Sequence, residues 1–475
     1  MKSAATVARN SVWLIAQPLI MGVTSLVVTA LVARHLGTND YGVLLLLLSY
    51  AALFSPISNL GLRPYSVREI AASRERALEI VEDMLVLRFS LALVAVLIVA
   101  VYLVLVNHQM PLGLVVLLVI QLVFNALAGC FLDGLSGVES MKSVATSMGL
   151  SGIIVQLTCV LAVVLKTNLL GVVVAYTLGS MTMFGISWYF FSKRVGAFTL
   201  RPLHFHHWNH IQNSWTFLFQ NLIGTIRQRI DVVLINSFLG THAAGIYGSA
   251  MSLIQRVDPV YDGIATALFP RAANLHGASN DELKNLVRGA FKVVLVISTP
   301  IAVGLYGVAD DVIALIFGAQ YRDSTAVLKI LALGIPLTFC YGIMFEVLRA
   351  TRHERLVLRF SSVATLLSVG YMVIGIKQFG VVGAAIAFLM GLITLVIPAT
   401  IAYWRNMGSP VAFKDAMGIA FANLVMGGIL WLMRDLHLII KIVVSAIVFG
   451  LLVVALRIIT LAMIKTILGR RKAND

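Results

Sequence analysis

Apolar runs of about 20 residues, each closed by a charged or Gly/Pro-containing cluster, follow one another along almost the whole chain. Such a run, coiled as an α-helix, crosses a hydrocarbon core of about 30 Å. Runs centred near Ser25, Leu53, Val96, Phe124, Ile154, Met181, Thr225, Leu253, Ser298, Pro336, Leu366, Met390, Val425 and Phe449 predict about fourteen membrane helices. The run around Thr225 is the most interrupted, by Arg227, Arg229 and Asp231. The first run follows Lys2 and Arg9 and continues to Val32. That is too long for a cleaved leader and lacks a small-residue cleavage site, so it reads as the first span. The eighth contains Arg256-Val257-Asp258-Pro259-Val260-Tyr261-Asp262-Gly263. Its proline removes a backbone donor and its glycine loosens the next turn, so a kink is expected near mid-membrane. The predicted fold is an all-α polytopic membrane protein.

Composition narrows the function classes. Charged residues make up 12% of the 475 and hydrophobic ones 59%, with a mean hydropathy of +0.94. A soluble protein would carry about a quarter charged residues. A soluble catalytic domain and a single-anchor protein are both excluded. The net charge of +15 would point to nucleic acid in a soluble chain. Here it reads as Lys/Arg-rich cytoplasmic loops, and no nucleic-acid partner is expected. With the N-terminus inside, the inner segments hold about 24 of the Lys and Arg residues and the outer ones about 7. A miscounted span would invert every later loop and spoil that bias, so both termini are expected to be cytoplasmic. Cys130, Cys159 and Cys340 all lie in apolar runs, which indicates neither a disulfide framework nor a zinc site.

The chain also echoes itself. Leu36-Gly37-Thr38 followed by Gly42 returns as Leu239-Gly240-Thr241 followed by Gly245, and at the same offset Pro56 falls on Pro259. A second echo sets Gly171-Val172-Val173 against Gly380-Val381-Val382. Six spans separate the copies, so both halves have one orientation, as in parallel-repeat transporters. The expected organisation is a lobe at 1–200, a second at 201–407, and two further spans with a cytoplasmic tail at 408–475.

These motifs resemble a known family. Arg34-His35-Leu36-Gly37-Thr38-Asn39-Asp40-Tyr41-Gly42 resembles the first outer loop of polysaccharide flippases. Asn59-Leu60-Gly61-Leu62 with Arg68-Glu69-Ile70-Ala71 is similar to their second-span exit. Arg229-Ile230-Asp231, with Gly240 and Gly245-Ile246-Tyr247, resembles their seventh span and its loop, and Phe269-Pro270 the end of the eighth. The resemblance is to the polysaccharide-transport (O-antigen flippase) branch of the multidrug/oligosaccharidyl-lipid/polysaccharide exporter superfamily. It implies movement of an undecaprenyl-diphosphate-linked oligosaccharide from the cytoplasmic to the outer leaflet of a bacterial or archaeal cytoplasmic membrane. It also implies a monomer whose lobes rock about a central cavity, a proton or sodium gradient as driver, and polysaccharide polymerases or ligases as partners.

Ionisable residues deep in spans carry the chemistry. Each costs about 2.5–3.5 kcal/mol at a helix centre, so such groups face protein or a wet cavity. The basic ones are Arg88, Arg227, Arg229 and Arg256, with Arg34 and Arg63 where the first two spans meet water. Guanidinium matches phosphate oxygens in a bidentate way, so these six are the candidate contacts to a diphosphate. The bland alternatives are a pair between Arg227 and Asp231, four residues apart on one face, snorkelling of Arg88 to lipid phosphate, and interfacial anchoring of Arg34 and Arg63. Arg229 lies about 160° from the Arg227–Asp231 face. Asp231, Asp258, Asp262 and Glu346 are the candidate coupling-ion residues. Asp258 and Asp262 share a face, where a buried carboxylate pair would hold a proton; pairing with Arg349 would explain Glu346.

Other features weigh less. Gln17, Asn59, Gln121, Asn125, Gln156, Gln220 and Asn221 suit sugar hydroxyls, although helix-to-helix bonding is the commoner use. Gly22, Gly61, Gly129 and Gly149 suit close helix packing. His204, His206, His207 and His210 are irregularly spaced among Phe205 and Trp208, which favours an interfacial linker over a metal site. No ATP-binding or cofactor motif is apparent, and no metal is predicted. A cation or drug antiporter of the same fold would want cavity carboxylates without balancing arginines. A membrane enzyme of envelope glycans would need a sizeable outer loop, and the longest, near Asp310–Arg322, is short.

Overall fold

A computed structural model describes residues 4–106, 110–196, 215–276, 278–407, 409 and 411–458, and no strand occurs among them. The chain divides into two compact units, one of Val27–Gly245 and one of Met1–Leu26 with Ile246–Asp475. Ten helices among the described residues are long and apolar enough to cross a membrane. This is a multi-pass membrane protein. Each of the expected span centres falls inside a helix.

The first unit holds most of α1 (Ala4–Asn59), then α2 (Leu62–Ala72), α3 (Ala77–Val106), α4 (Leu112–Gly137), α5 (Met141–Val164), α6 (Leu169–Arg194), α7 (Trp215–Leu239) and the start of α8 (Thr241–Gln255). α1 is two helices joined at Gly37, whose φ of 75° and ψ of 176° suit only glycine. The α7–α8 junction repeats the device with Gly240 at φ 85°. The Leu-Gly-Thr echo is therefore one of backbone conformation. The second echo is not: Gly380 sits at φ 59°, whereas Gly171 lies inside α6. α4 packs against α2, α3 and α6 around Leu62, Ile70, Val81, Met84, Phe131, Leu135 and Phe191. Two consecutive left-handed residues, Leu60 (φ 41°) and Gly61 (φ 65°), turn the chain from α1 into α2.

The two echoed segments also touch each other. Thr38 Oγ1 and His242 Nδ1 are hydrogen-bonded at 2.8 Å. A Cβ on Gly42 would overlap the Thr241 carbonyl, and one on Gly245 would overlap the Thr38 carbonyl. Only hydrogen at both positions lets the backbones approach so closely.

The second unit continues with α9 (Asp258–Leu275), α10 (Asn280–Gly307), α11 (Ala309–Ile316), α12 (Ser324–Ala332), α13 (Gly334–Ala350), α14 (Glu354–Met407), α15 (Phe413–Leu432) and α16 (Leu438–Ala455). α14 is itself two helices joined at Gly380. Ser279 opens α10 by accepting from Glu282 N at 3.3 Å, a capping-box pattern. Three polar contacts tie α15 and α16 to the α10–α11 segment: Lys292–Asp415 at 3.0 Å, Asn423 donating to Thr299 at 2.8 Å, and Lys441–Asp311 at 2.6 Å. The segment near Asp310–Arg322, expected on the outer side, is filled by α11 and a 3-10 turn at Ala319–Tyr321.

Two local expectations need correcting. The eighth span is broken rather than kinked: α8 ends at Gln255, and Pro259 stands in the first turn of α9, where its missing N–H has no helical partner to lose. Among the described residues no atom lies within 4 Å of a Cβ built on Gly22, so none of them packs closely against it, whereas any side chain at Gly129 would strike the Arg88 guanidinium.

Candidate functional site

In the first unit, charge concentrates where α2, α3 and α4 meet. Arg88 lies on an otherwise apolar stretch of α3 and is 1% exposed. Rather than snorkelling to lipid, its Nη2 donates to Asp133 Oδ2 on α4 at 2.5 Å. Gly129, one turn before Asp133, leaves room for that guanidinium. The other carboxylate oxygen of Asp133 faces Arg63 Nε at 3.4 Å. The Leu60–Gly61 turn places Arg63 at the start of α2, where its side chain is 73% exposed. Two arginines from different helices thus share one buried carboxylate, and Asp133 is the functional candidate that sequence reasoning passed over. Its signal was a single carboxylate in an apolar run, Phe131-Leu132-Asp133-Gly134, matching a single arginine in the preceding span. Asn59 is satisfied by its own helix, donating to Ser55 O at 3.1 Å.

α7 packs against α2 within the same unit. It brings Arg227 and Arg229, both half-buried, and Asp231, which is buried and accepts from the Val232 N–H at 2.8 Å. Arg34 is exposed on α1.

In the second unit, Arg256 sits in the break between α8 and α9 and donates to Ser25 Oγ. Asp258 is half-buried in the first turn of α9, where a carboxylate is favoured by the helix dipole. Asp262, one turn on, is exposed, so the two are not the buried carboxylate pair the spacing predicted. Tyr261 between them lies over Gly342 of α13, where no side chain would fit. Glu346 accepts from Arg349 at 2.7 Å, the pairing their spacing allowed. The four clustered histidines lie outside the described residues, as do the side chains of Gln17 and Gln220. Among the described residues no group of His, Cys, Asp and Glu is arranged to hold a metal.

Residues 7–276, more than half of the chain, match the family model described as polysaccharide biosynthesis protein. The chain belongs to that family. Residues 217–374 also match the MatE family, as expected within the multidrug/oligosaccharidyl-lipid/polysaccharide exporter superfamily. The family member is 26% identical over 222 residues to the teichuronic acid biosynthesis protein TuaB of Bacillus subtilis (strain 168), covering 42% of this chain and 44% of that protein. It is 24% identical over 159 residues to the probable low-salt glycan biosynthesis flippase Agl15 of Haloferax volcanii, covering 33% and 34%. It is 22% identical over 216 residues to the lipopolysaccharide biosynthesis protein WzxC of Escherichia coli (strain K12), covering 45% and 41%. The chain thus spans less than half the length of each of these relatives. Among solved structures, it resembles the lipid II flippase MurJ in an inward closed conformation, with a TM-score of 0.75, 15% identity, and 94% and 99% of the two chains covered. An inward-facing MATE multidrug transporter follows at 0.58, 16% identical, with 86% and 94% covered. At these identities the likeness is one of fold.

Proposed function

We propose that this chain is a flippase that carries an undecaprenyl-diphosphate-linked oligosaccharide from the inner to the outer leaflet of the cytoplasmic membrane by alternating access. It works with both termini cytoplasmic, as lobes of 1–200 and 201–407 with a C-terminal pair of spans. One observation carries the reading: arginines stand on helices that pack together in an otherwise apolar protein, Arg227 and Arg229 on α7 and Arg63 on α2. Guanidinium groups in a hydrated cationic cavity suit a diphosphate head group, while the polyprenyl tail stays in lipid. Relatives named for polysaccharide and glycan biosynthesis support the same class of cargo. With no nucleotide motif in the sequence, a proton or sodium gradient supplies the driving force, and Asp258 with Asp262, Asp231 or Glu346 provides the titrating group. The chain transports and performs no covalent chemistry on its cargo.

The test is deletion of the gene, with mass analysis of undecaprenyl-linked glycans. Accumulation on the inner face is expected; unchanged glycan pools and a normal surface polymer would refute the assignment. The MatE match supports a second reading, a cation or drug antiporter. It is disfavoured because the basic candidates within the spans, Arg88, Arg227, Arg229 and Arg256, match the acidic ones in number. Loss of drug resistance without glycan accumulation would favour it.

A further inference from the structure

We infer that Asp133 is a positioning residue that holds the Arg63 guanidinium ready for a phosphate-class anion and gives it up when that anion binds. The inference deepens the flippase reading and rests on it. The two oxygens of Asp133 do different work. Oδ2 makes a short contact with Arg88, whose side chain is 2% exposed, and that pair is structural. Oδ1 reaches Arg63 only at 3.4 Å, and the Arg63 side chain remains 73% exposed. Arg88 alone neutralises the Asp133 carboxylate, yet the chain brings it a second arginine.

It does so through strained backbone. Leu60, a residue with a Cβ, is held at φ 41° beside Gly61 at φ 65°, and together they start α2 so that Arg63 meets Asp133. Left-handed conformations of this kind concentrate at ligand clamps and switch points. The cluster is also short of negative charge and of acceptors. Two guanidiniums share one carboxylate, and the fully buried Nε of Arg88 has no hydrogen-bond partner among the described residues. Glu82, the buried carboxylate lower on α3, is six residues from Arg88 and about 120° around the helix, so it faces elsewhere.

A long, solvent-screened contact is weak. A diphosphate offers Arg63 two short parallel bonds and more charge than a single carboxylate oxygen. Exchange of Arg63 from Asp133 to the anion is then downhill, and the waiting carboxylate recaptures the arginine when the anion leaves. Asp133 thereby sets how tightly the head group is held.

The experiment titrates inorganic pyrophosphate into the full chain in phosphatidylcholine nanodiscs, followed by calorimetry. Arg63→Gln is expected to weaken binding at least tenfold. Asp133→Asn is expected to strengthen it at least threefold, because the competitor for Arg63 is gone, and to slow transport for the same reason. If Asp133→Asn does not fold, the double variant Asp133→Asn/Arg88→Gln replaces it, with the same expected gain. Unchanged binding in Arg63→Gln, or weaker binding in the Asp133 variant, overturns the inference. Competing arms identify the source of the anion. Displacement by undecaprenyl diphosphate but not by phosphatidylglycerol supports the cargo, and equal displacement by both overturns it. Wrong-way affinities alongside normal glycan accumulation in the deletion strain would sink only the role of Asp133. Absence of that accumulation would sink the flippase reading whatever the affinities.

Discussion

Lys441 and Asp311 form an ion pair whose ends live in different surroundings: the lysine side chain is 5% exposed, the aspartate 41%. Removing the aspartate strands a buried cation, while removing the lysine leaves a carboxylate that water can solvate. Asp311→Ala is therefore expected to cost about 3 kcal/mol and Lys441→Met less than about 1 kcal/mol, as read by unfolding in detergent micelles. Equal losses would mean that the pair is not buried in the way described. At the same scale, Arg227→Ala and Arg229→Ala should leave the folded protein intact, with at least one abolishing surface glycan. Normal glycan from the double variant at normal protein level would remove α7 from the proposed binding wall. Spacing alone anticipated the Glu346–Arg349 pair, because it lies within one helical turn. It could not anticipate Arg88–Asp133, which joins residues 45 apart on different helices, and periodicity carries no information about which helices pack together.

Helices were the most legible part of the sequence, since long apolar runs have few alternatives to a membrane span. Their interruptions were less so. Pro259 suggested a kink, but a proline in a first turn is well tolerated, and the chain uses it to begin α9 afresh. Gly380, by contrast, is obligatory. Its φ of 59° and ψ of −139° belong to glycine alone, although a Cβ there would meet no atom of the described residues. Gly380→Ala should thus destabilise by about 1–3 kcal/mol without any clash. Gly370→Ala, in the helix one span earlier and equally uncrowded, should be neutral or stabilising by up to about 1 kcal/mol. Thermal unfolding of the two variants side by side checks this, and similar shifts would show that the α14 break is not held by backbone conformation.

For the molecule as a whole, composition sufficed to exclude soluble and single-span classes, and short loop motifs were enough to reach the family. The candidate site was only partly legible: the arginines could be named, but not Asp133 as the counter-ion of Arg88, and of the two acidic candidates sharing a face of α9, Asp262 is exposed. If Asp258 nonetheless titrates during transport, Asp258→Asn should slow transport and flatten its dependence on a proton gradient in proteoliposomes. An unaltered gradient response would clear Asp258 of that role. The Thr38–His242 contact and the facing pair Gly42 and Gly245 have a consequence of another kind. Each copy of the echoed segment forms the surface on which the other rests, so a change in one is felt by its twin across the contact. Substitutions at 42 and 245 should be strongly non-additive, the second costing far less once the first has pried the segments apart. Two segments that are each other's mould cannot drift one at a time.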